Sequence, residues 1–379
     1  MSKLFVNRFK NQDELWEYLI DNEKIIWMGQ NTNHFEVDEE IKKAAFEVLE
    51  KNTFQKYPPQ VGFSQLREAI VQDLELGSEH DALITAGGTE GLHIAVSAII
   101  KHGDHAIMSD PGYMIAGKFV ERWGGTVTHI PIYYPELNYR LTPEIVNDFI
   151  QKNTKLLLLV DPLNPLGYAH TEDEIKGFVD IAKENDLFIL HDVTYRDFAE
   201  KHFLAAKYAP ERTFTIYSFS KSFSLAGLRI GAMVGLKEMV AKAKNFIIND
   251  LGSNFLSQKV AFAALKTKHK WLPRVKKETR DNQELIKDAV EKVSGAFLPI
   301  YPAQTSMFVI DIFNTGIIPA DVVSHLLEKY NIFTREGNYT SNLFGHRYLR
   351  VSFSIPRESV KKFADIFPKA MEELKNDPF

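Results

Sequence analysis

A lysine set among hydroxyls, with an arginine close behind it, suits a compound that carries both a carbonyl and a phosphate. The amine can form an imine while the hydroxyls and guanidinium hold the phosphate. The chain has such a group in Ser218-Phe219-Ser220-Lys221, after an apolar run, with Arg229 following. Alone, a lysine at the end of a strand is ordinarily a solvated charge. Four other places change that reading. Asp192 ends the apolar run that begins at Phe188 and is followed by Tyr195; a buried carboxylate there would keep a heteroaromatic nitrogen protonated, although Asp192 by itself could be a helix N-cap. Asn164 lies between Pro162 and Pro165, where an amide could hydrogen-bond a phenolic oxygen or simply make a turn. In Thr85-Ala86-Gly87-Gly88-Thr89-Glu90, glycines between a strand and a helix leave backbone N–H groups free to cradle a phosphate. Arg350, among the β-formers Tyr348-Leu349-Arg350-Val351-Ser352, offers a fork that matches a carboxylate, with a surface ion pair as the plainer alternative.

The elements that must position these groups show in the periodicity. Apolar, β-rich runs at Ala82 to Thr85, Ala106 to Asp110, Lys155 to Val160, Phe188 to Asp192, Thr213 to Ser218 and Arg229 to Val234 alternate with helical periods, a rhythm that means a mostly parallel sheet. The run from Lys155 to Val160 has no polar alternation, as expected of a central strand covered on both faces. After Gly235 the pattern turns helical, with a long helix expected over Trp271 to Val293. Strands at Met307 to Ile312, Ile332 to Arg335 and Tyr348 to Ser354 then stand beside helices at Ala320 to Tyr330 and Arg357 to Leu374, which predicts a smaller α+β domain. The expected division is a large domain over residues 45–275 and a small one made of the N-terminal arm, 1–44, with 276–379. No repeat or Gly/Ser linker separates them, so a shared cleft is the natural site.

Composition narrows the chemistry. The 379 residues hold 45 Lys plus Arg against 50 Asp plus Glu, so there is no broad basic field for nucleic acid or anionic lipid, and small molecules are the expected partners. With no cysteine, thiolate nucleophiles and Cys-ligated metal are excluded, no metal is expected, and a cytoplasmic setting fits. No run reaches the length of a membrane span, and Met1 to Lys10 lacks the apolar core of a signal peptide.

Taken together and in this order, the pieces resemble the class I/II aminotransferases, fold type I pyridoxal-phosphate enzymes, over essentially the whole chain. Tyr57 with Gly62, Leu66 and Arg67, the loop Asp161-Pro162-Leu163-Asn164-Pro165-Leu166-Gly167, and Ser218 to Lys221 carry the likeness. It implies an aspartate-aminotransferase-like α/β fold whose large domain holds a mostly parallel seven-stranded sheet. It also implies pyridoxal 5'-phosphate as cofactor, bound as an imine on Lys221, which also shuttles protons. Asp192 would pair the pyridine nitrogen, Asn164 and Tyr195 the phenolic oxygen, and Gly88, Thr89, Ser218, Ser220 and Arg229 the phosphate. Tyr113 would stack on the ring, Arg350 would bind the substrate carboxylate, and Tyr57 would reach the neighbouring subunit's phosphate, hence a homodimer with shared sites. Two departures, Leu166 in the asparagine loop and Val193-Thr194 after Asp192, alter the surroundings of the ring.

The N-terminal arm points to a branch of the same fold. Leu15-Trp16-Glu17-Tyr18-Leu19 followed by Gly29-Gln30-Asn31-Thr32-Asn33-His34 is similar to the arm of oxygen-consuming, pyridoxal-phosphate-dependent arginine oxidases and hydroxylases. That resemblance implies oxidative deamination of L-arginine by dioxygen through a quinonoid, with Glu17 and Gly29 on the substrate and His34 managing protons near the ring. The plainer alternative is a packing stripe with a solvated Glu17 and a capping His34. At the level of the whole protein the alternatives are an ordinary aminotransferase acting on an L-amino acid and a 2-keto acid, and a non-catalytic cofactor-sensing regulatory domain.

Overall fold

The computed structural model describes residues 9–247 and 249–376; the first eight residues of the expected arm and the last three of the chain lie outside that range. Strand β1 (Ile26–Trp27) belongs to the arm, and β2 (His80–Thr85), β3 (His105–Asp110), β4 (Thr126–Pro131), β5 (Thr154–Val160), β6 (Phe188–Asp192), β7 (Thr213–Ser218) and β8 (Gly231–Leu236) form one sheet in the order β2-β8-β7-β6-β5-β3-β4. Only β8 runs against its neighbours; the other pairings are parallel. Six strands therefore end on one edge of the sheet, and β8 begins there. That edge is where an open α/β sheet places its ligands.

The β5 leucines show why this strand is central. Leu157 and Leu159 enter one core with Ile107, Phe178 and Ile189, while Leu156 and Leu158 enter the opposite one with Met108, Leu190 and Ile94. Alternate side chains leave opposite faces, and both faces are covered. The sheet has the seven strands that the resemblance implies; the one no apolar run marked is β4, at its edge, where Ile130 alone is buried in a run of threonines and a histidine. The strand expected to begin at Arg229 begins at Gly231, because Arg229 adopts φ +50 at the end of the turn Ala226–Leu228.

The remaining strands are β9 (Met307–Asp311), β10 (Ile332–Phe333), β11 (Arg335–Glu336) and β12 (Tyr348–Ser352). An antiparallel sheet β11-β12-β9 packs Ile310, Leu349 and Val351 into a core with Phe363 and Phe367 of helix Arg357–Asn376. The expected strand Ile332 to Arg335 is broken at the buried Thr334, and β10 pairs in parallel with β1 instead. That pairing carries Met28 of the arm into the same core. Helix Gln12–Asp21, capped by the Asn11 side chain, buries Leu15 and Leu19 against Leu327 and Phe333, as a one-sided apolar stripe requires. The long helix spans Lys268–Glu291. Among the described residues no helix is long and apolar enough to cross a membrane.

Candidate active site

Lys221 follows the end of β7 and reaches into a cleft of about 620 Å³ between the sheet edge, the arm and the small sheet. Its Nζ donates to the Gln30 carbonyl at 2.9 Å. Burial, reinforced by the charges of Arg350 and Arg229 and opposed by Asp192, pulls this amine down to about 7. A lysine so placed is substantially neutral at physiological pH and can attack a carbonyl.

Asp192 ends β6 and is buried. Its Oδ1 accepts from the Thr194 backbone N–H at 3.0 Å and from the Thr194 hydroxyl at 2.5 Å, which leaves Oδ2 outside this pair of bonds. Burial raises its pKa, with the Thr194 bonds and Lys221 acting the other way. A carboxylate held like this is stabilised by a cationic N–H donor, the role a pyridinium would fill. Beside it the buried Tyr195 accepts at its hydroxyl from Asn31 Nδ2 at 3.4 Å, and Lys221 Nζ lies 5.8 Å from its ring centre.

A phosphate cradle stands at the next strand end. Helix Gly88–Ile99 begins after Gly87 with no side-chain cap, so its first N–H groups are left to a ligand. Gly87 has φ +87, and a Cβ there would come within 2.5 Å of the Arg229 guanidinium, so a side chain would displace the cation. Gly88, Thr89, Ser218, Ser220 and Arg229 line this end of the cleft. The Tyr113 hydroxyl meets that of Thr89 at 3.3 Å.

Arg350 of β12 closes the other side. It donates to Asn164 Oδ1 at 3.1 Å and to the Gly29 carbonyl at 2.9 Å, and its buried Nε has no partner among the described residues. Burial, above all, pulls it to about 10, still fully cationic at neutral pH. A desolvated guanidinium with an unused N–H is ready for a carboxylate. The donor set therefore fits pyridoxal phosphate at every polar group: amine, carboxylate, amide, phosphate cradle and a separate cation for an amino acid.

The outlying sequence expectations fall as follows. Gly29 contributes its carbonyl, and a Cβ on it would collide with the Phe333 ring. His34 lies outside the cleft lining; its Nε2 meets the Thr32 hydroxyl at 2.6 Å, its ring stacks on Trp27, and burial followed by Lys221 lowers its pKa, which favours the neutral imidazole. Glu17 is exposed and points elsewhere, while Gln12 and Trp16 of the same helix line the cleft; positions four apart share a face and the next position does not. Tyr57 is 77% exposed on a separate hollow that shares Arg229 with the cleft. Arg335 and Tyr339 at the site were not singled out from sequence, Thr194 figured there only as a departure beside Asp192, and Asn31 only within the arm motif. Thr194 had a signal, a hydroxyl two residues after a candidate buried aspartate; Arg335 had none.

The sequence pattern of the family described as aminotransferase class I and II matches residues 23–367. The chain is 27% identical to an aspartate aminotransferase of Pyrococcus horikoshii, covering 97% of this chain and 96% of that protein. It is 25% identical to aromatic-amino-acid aminotransferase 2 of Thermococcus litoralis, covering 93% of each. Its fold matches the crystal structure of an aromatic aminotransferase from Pyrococcus horikoshii with a TM-score of 0.82 at 23% identity, covering 95% of this chain and 99% of that one. These relatives favour the aminotransferase alternative over the arginine oxidase that the arm suggested.

Proposed function

The chain belongs to the class I and II aminotransferase family and is a pyridoxal-phosphate-dependent enzyme, and on that premise we propose that it moves the amino group of an L-amino acid to a 2-keto acid. The observation that carries this reading is the convergence of Lys221, Asp192 and Arg350 on one cleft. Bound pyridoxal phosphate supplies an aldehyde for the amino group and an electron sink for the α-carbon. The protein does the rest. Arg350 holds the α-carboxylate and so fixes where the α-hydrogen points. Lys221, poised at about 7, takes that proton and returns it, as a general base near the working pH should. Asp192, gripped by Thr194, keeps the proton on the ring nitrogen, and Asn164 steadies both Arg350 and the cofactor side of the cleft. The exposed Tyr57, with Phe46, Leu49 and Phe54 also exposed, supports a two-chain assembly in which Tyr57 reaches the other chain's phosphate.

A second reading, oxidation of L-arginine by dioxygen, is supported by the arm, since Gln12 and Trp16 cover the cleft and His34 lies close enough to Lys221 to feel its charge. The solvent-facing Glu17 weighs against it. Purified enzyme mixed with amino acids in air separates the two. Sustained turnover that requires a 2-keto acid supports amino transfer; oxygen consumption with L-arginine and no keto acid would replace that reading with the second.

A further inference from the structure

The residue that follows Lys221 is held from two directions. Ser222 is buried; its hydroxyl donates to Asp197 Oδ2 at 2.7 Å, and its carbonyl accepts from the Asn33 side-chain amide of the arm at 2.9 Å. Asp197 stands in the short turn Arg196–Phe198, directly after Tyr195. Its bond to Ser222 therefore ties the segment that carries Asp192 and Tyr195 to the segment that carries the amine. Asp197 is anchored in turn. Lys268 Nζ, at the head of the long helix, lies 2.7 Å from Asp197 Oδ1 and 2.8 Å from Asp73 Oδ2, and Arg196 pairs with Asp73 while standing 3.7 Å from Asp197 Oδ1. Burial alone would raise the Asp197 carboxyl, but Lys268 and Arg196 hold it below the usual aspartate range. It is ionised at neutral pH, accepts only, and leaves Ser222 as the donor of a charge-assisted bond.

The charges that move the Lys221 amine most are those of Arg350, Arg229, Asp192 and Arg335, so Asp197 acts on that amine through position. A lysine reaches its target on a flexible four-carbon stem, and an error at its backbone is carried to Nζ. Proton transfer tolerates little such error. We propose that Ser222 and Asp197 form a tether that positions Lys221 for removal of the α-proton, both acting as positioning residues. The tether rests on Lys221 being the base and not on where the amino group goes afterwards.

The test follows exchange of the α-hydrogen of an L-amino acid for deuterium by the holoenzyme in D2O, read by NMR, with the amino acid that the wild-type enzyme exchanges fastest. Ser222→Ala should slow exchange at saturating amino acid by roughly tenfold to a hundredfold, the cost of a lost charge-assisted bond and a misplaced base, and leave the half-saturating concentration unchanged. Asp197→Asn, whose amide oxygen can still accept from Ser222, should fall between that variant and the wild type. Tyr217→Phe cuts a different bond into the same ion-pair group, from the Tyr217 hydroxyl to Asp73 Oδ2 at 2.7 Å; it should lower the unfolding midpoint and leave the exchange rate as it is. A Ser222→Ala enzyme that exchanges at the wild-type rate, or a Tyr217→Phe enzyme slowed as much as Ser222→Ala, would overturn the tether. A wild-type holoenzyme that exchanges no amino acid would remove Lys221 as the base and the tether with it. Since the α-proton leaves in both readings of the reaction, the result is independent of whether a 2-keto acid or dioxygen is the acceptor.

Discussion

The sheet edge around Lys221 and the rim around Arg335 face each other across one cleft but are built in opposite ways. At the edge, these functional residues sit at or just beyond the end of a buried strand: Gly88 after β2, Asn164 after β5, Asp192 at the end of β6, Lys221 after β7. At the rim, two segments far apart in sequence meet, the arm, with Gln12 and Trp16 on its helix and Gln30 and Asn31 beyond it, and the stretch of β11 and the turn after it, with Arg335 and Tyr339. Rigid strands hold groups to the tolerance that bond making demands. Loops and short elements can change without disturbing the core, which suits groups that choose the substrate. Changes at the edge should therefore penalise every amino acid, and changes at the rim only some.

The largest effect expected is at Lys221. Lys221→Ala should lower kcat for all amino acids by at least about 10² to 10⁴, the range for a lost general base; a loss confined to one substrate would erase the distinction between edge and rim. Behind the edge, the buried Asp161 lies 3.1 Å from His170, 3.0 Å from His202 and 3.5 Å from His191. Asp161→Ala should destabilise the fold by at least about 1–3 kcal/mol in denaturant titrations, because it leaves the imidazoles clustered around it without the buried carboxylate they share. Despite its burial, these imidazoles hold the Asp161 carboxyl well below the usual carboxylate range. The stability they contribute is present above the ordinary aspartate pKa and is lost as pH falls through the depressed folded one.

A smaller effect is expected one contact away from the ring. Thr194→Val removes a hydroxyl bond to Asp192 and should cost about 1.5–3 kcal/mol in kcat/KM, again for every substrate. Lys221 gives a pH test of the same edge. Capture of pyridoxal phosphate by the apoprotein should rise with pH through about 7 and then level off, since the neutral amine reacts and its pKa is lowered to about 7; a rate still climbing toward the ordinary lysine value would deny that burial tunes it. The smallest effect belongs to Glu17. Exposed as it is, Glu17→Gln should change amino acid affinity by no more than about twofold to threefold, and a selective loss of L-arginine binding would restore the oxidase reading.

This contrast also governs what the sequence could reveal. Apolar runs ending in Asp192, in Ser218 and before Asn164 announce both the parallel sheet and the chemistry at its edge, because strand, turn and functional residue are contiguous. The edge strand β4 was not singled out because burial touches it lightly. The break at Thr334 was hidden because Ile332 to Arg335 reads as one β-rich run while its two ends pair with different partners. Arg335 itself was invisible: only the register with Arg350 places a second guanidinium in the cleft, and registers between distant strands leave no local pattern. Glu17 illustrates the reverse, a residue marked by likeness to other arms and then carried to solvent by helical phase.

The most direct test of the central claim is chemical trapping. Borohydride reduction of the yellow holoenzyme, followed by peptide mapping, should place the phosphopyridoxyl group on Lys221 and abolish activity. Label on any other lysine, or none at all, would contradict the account.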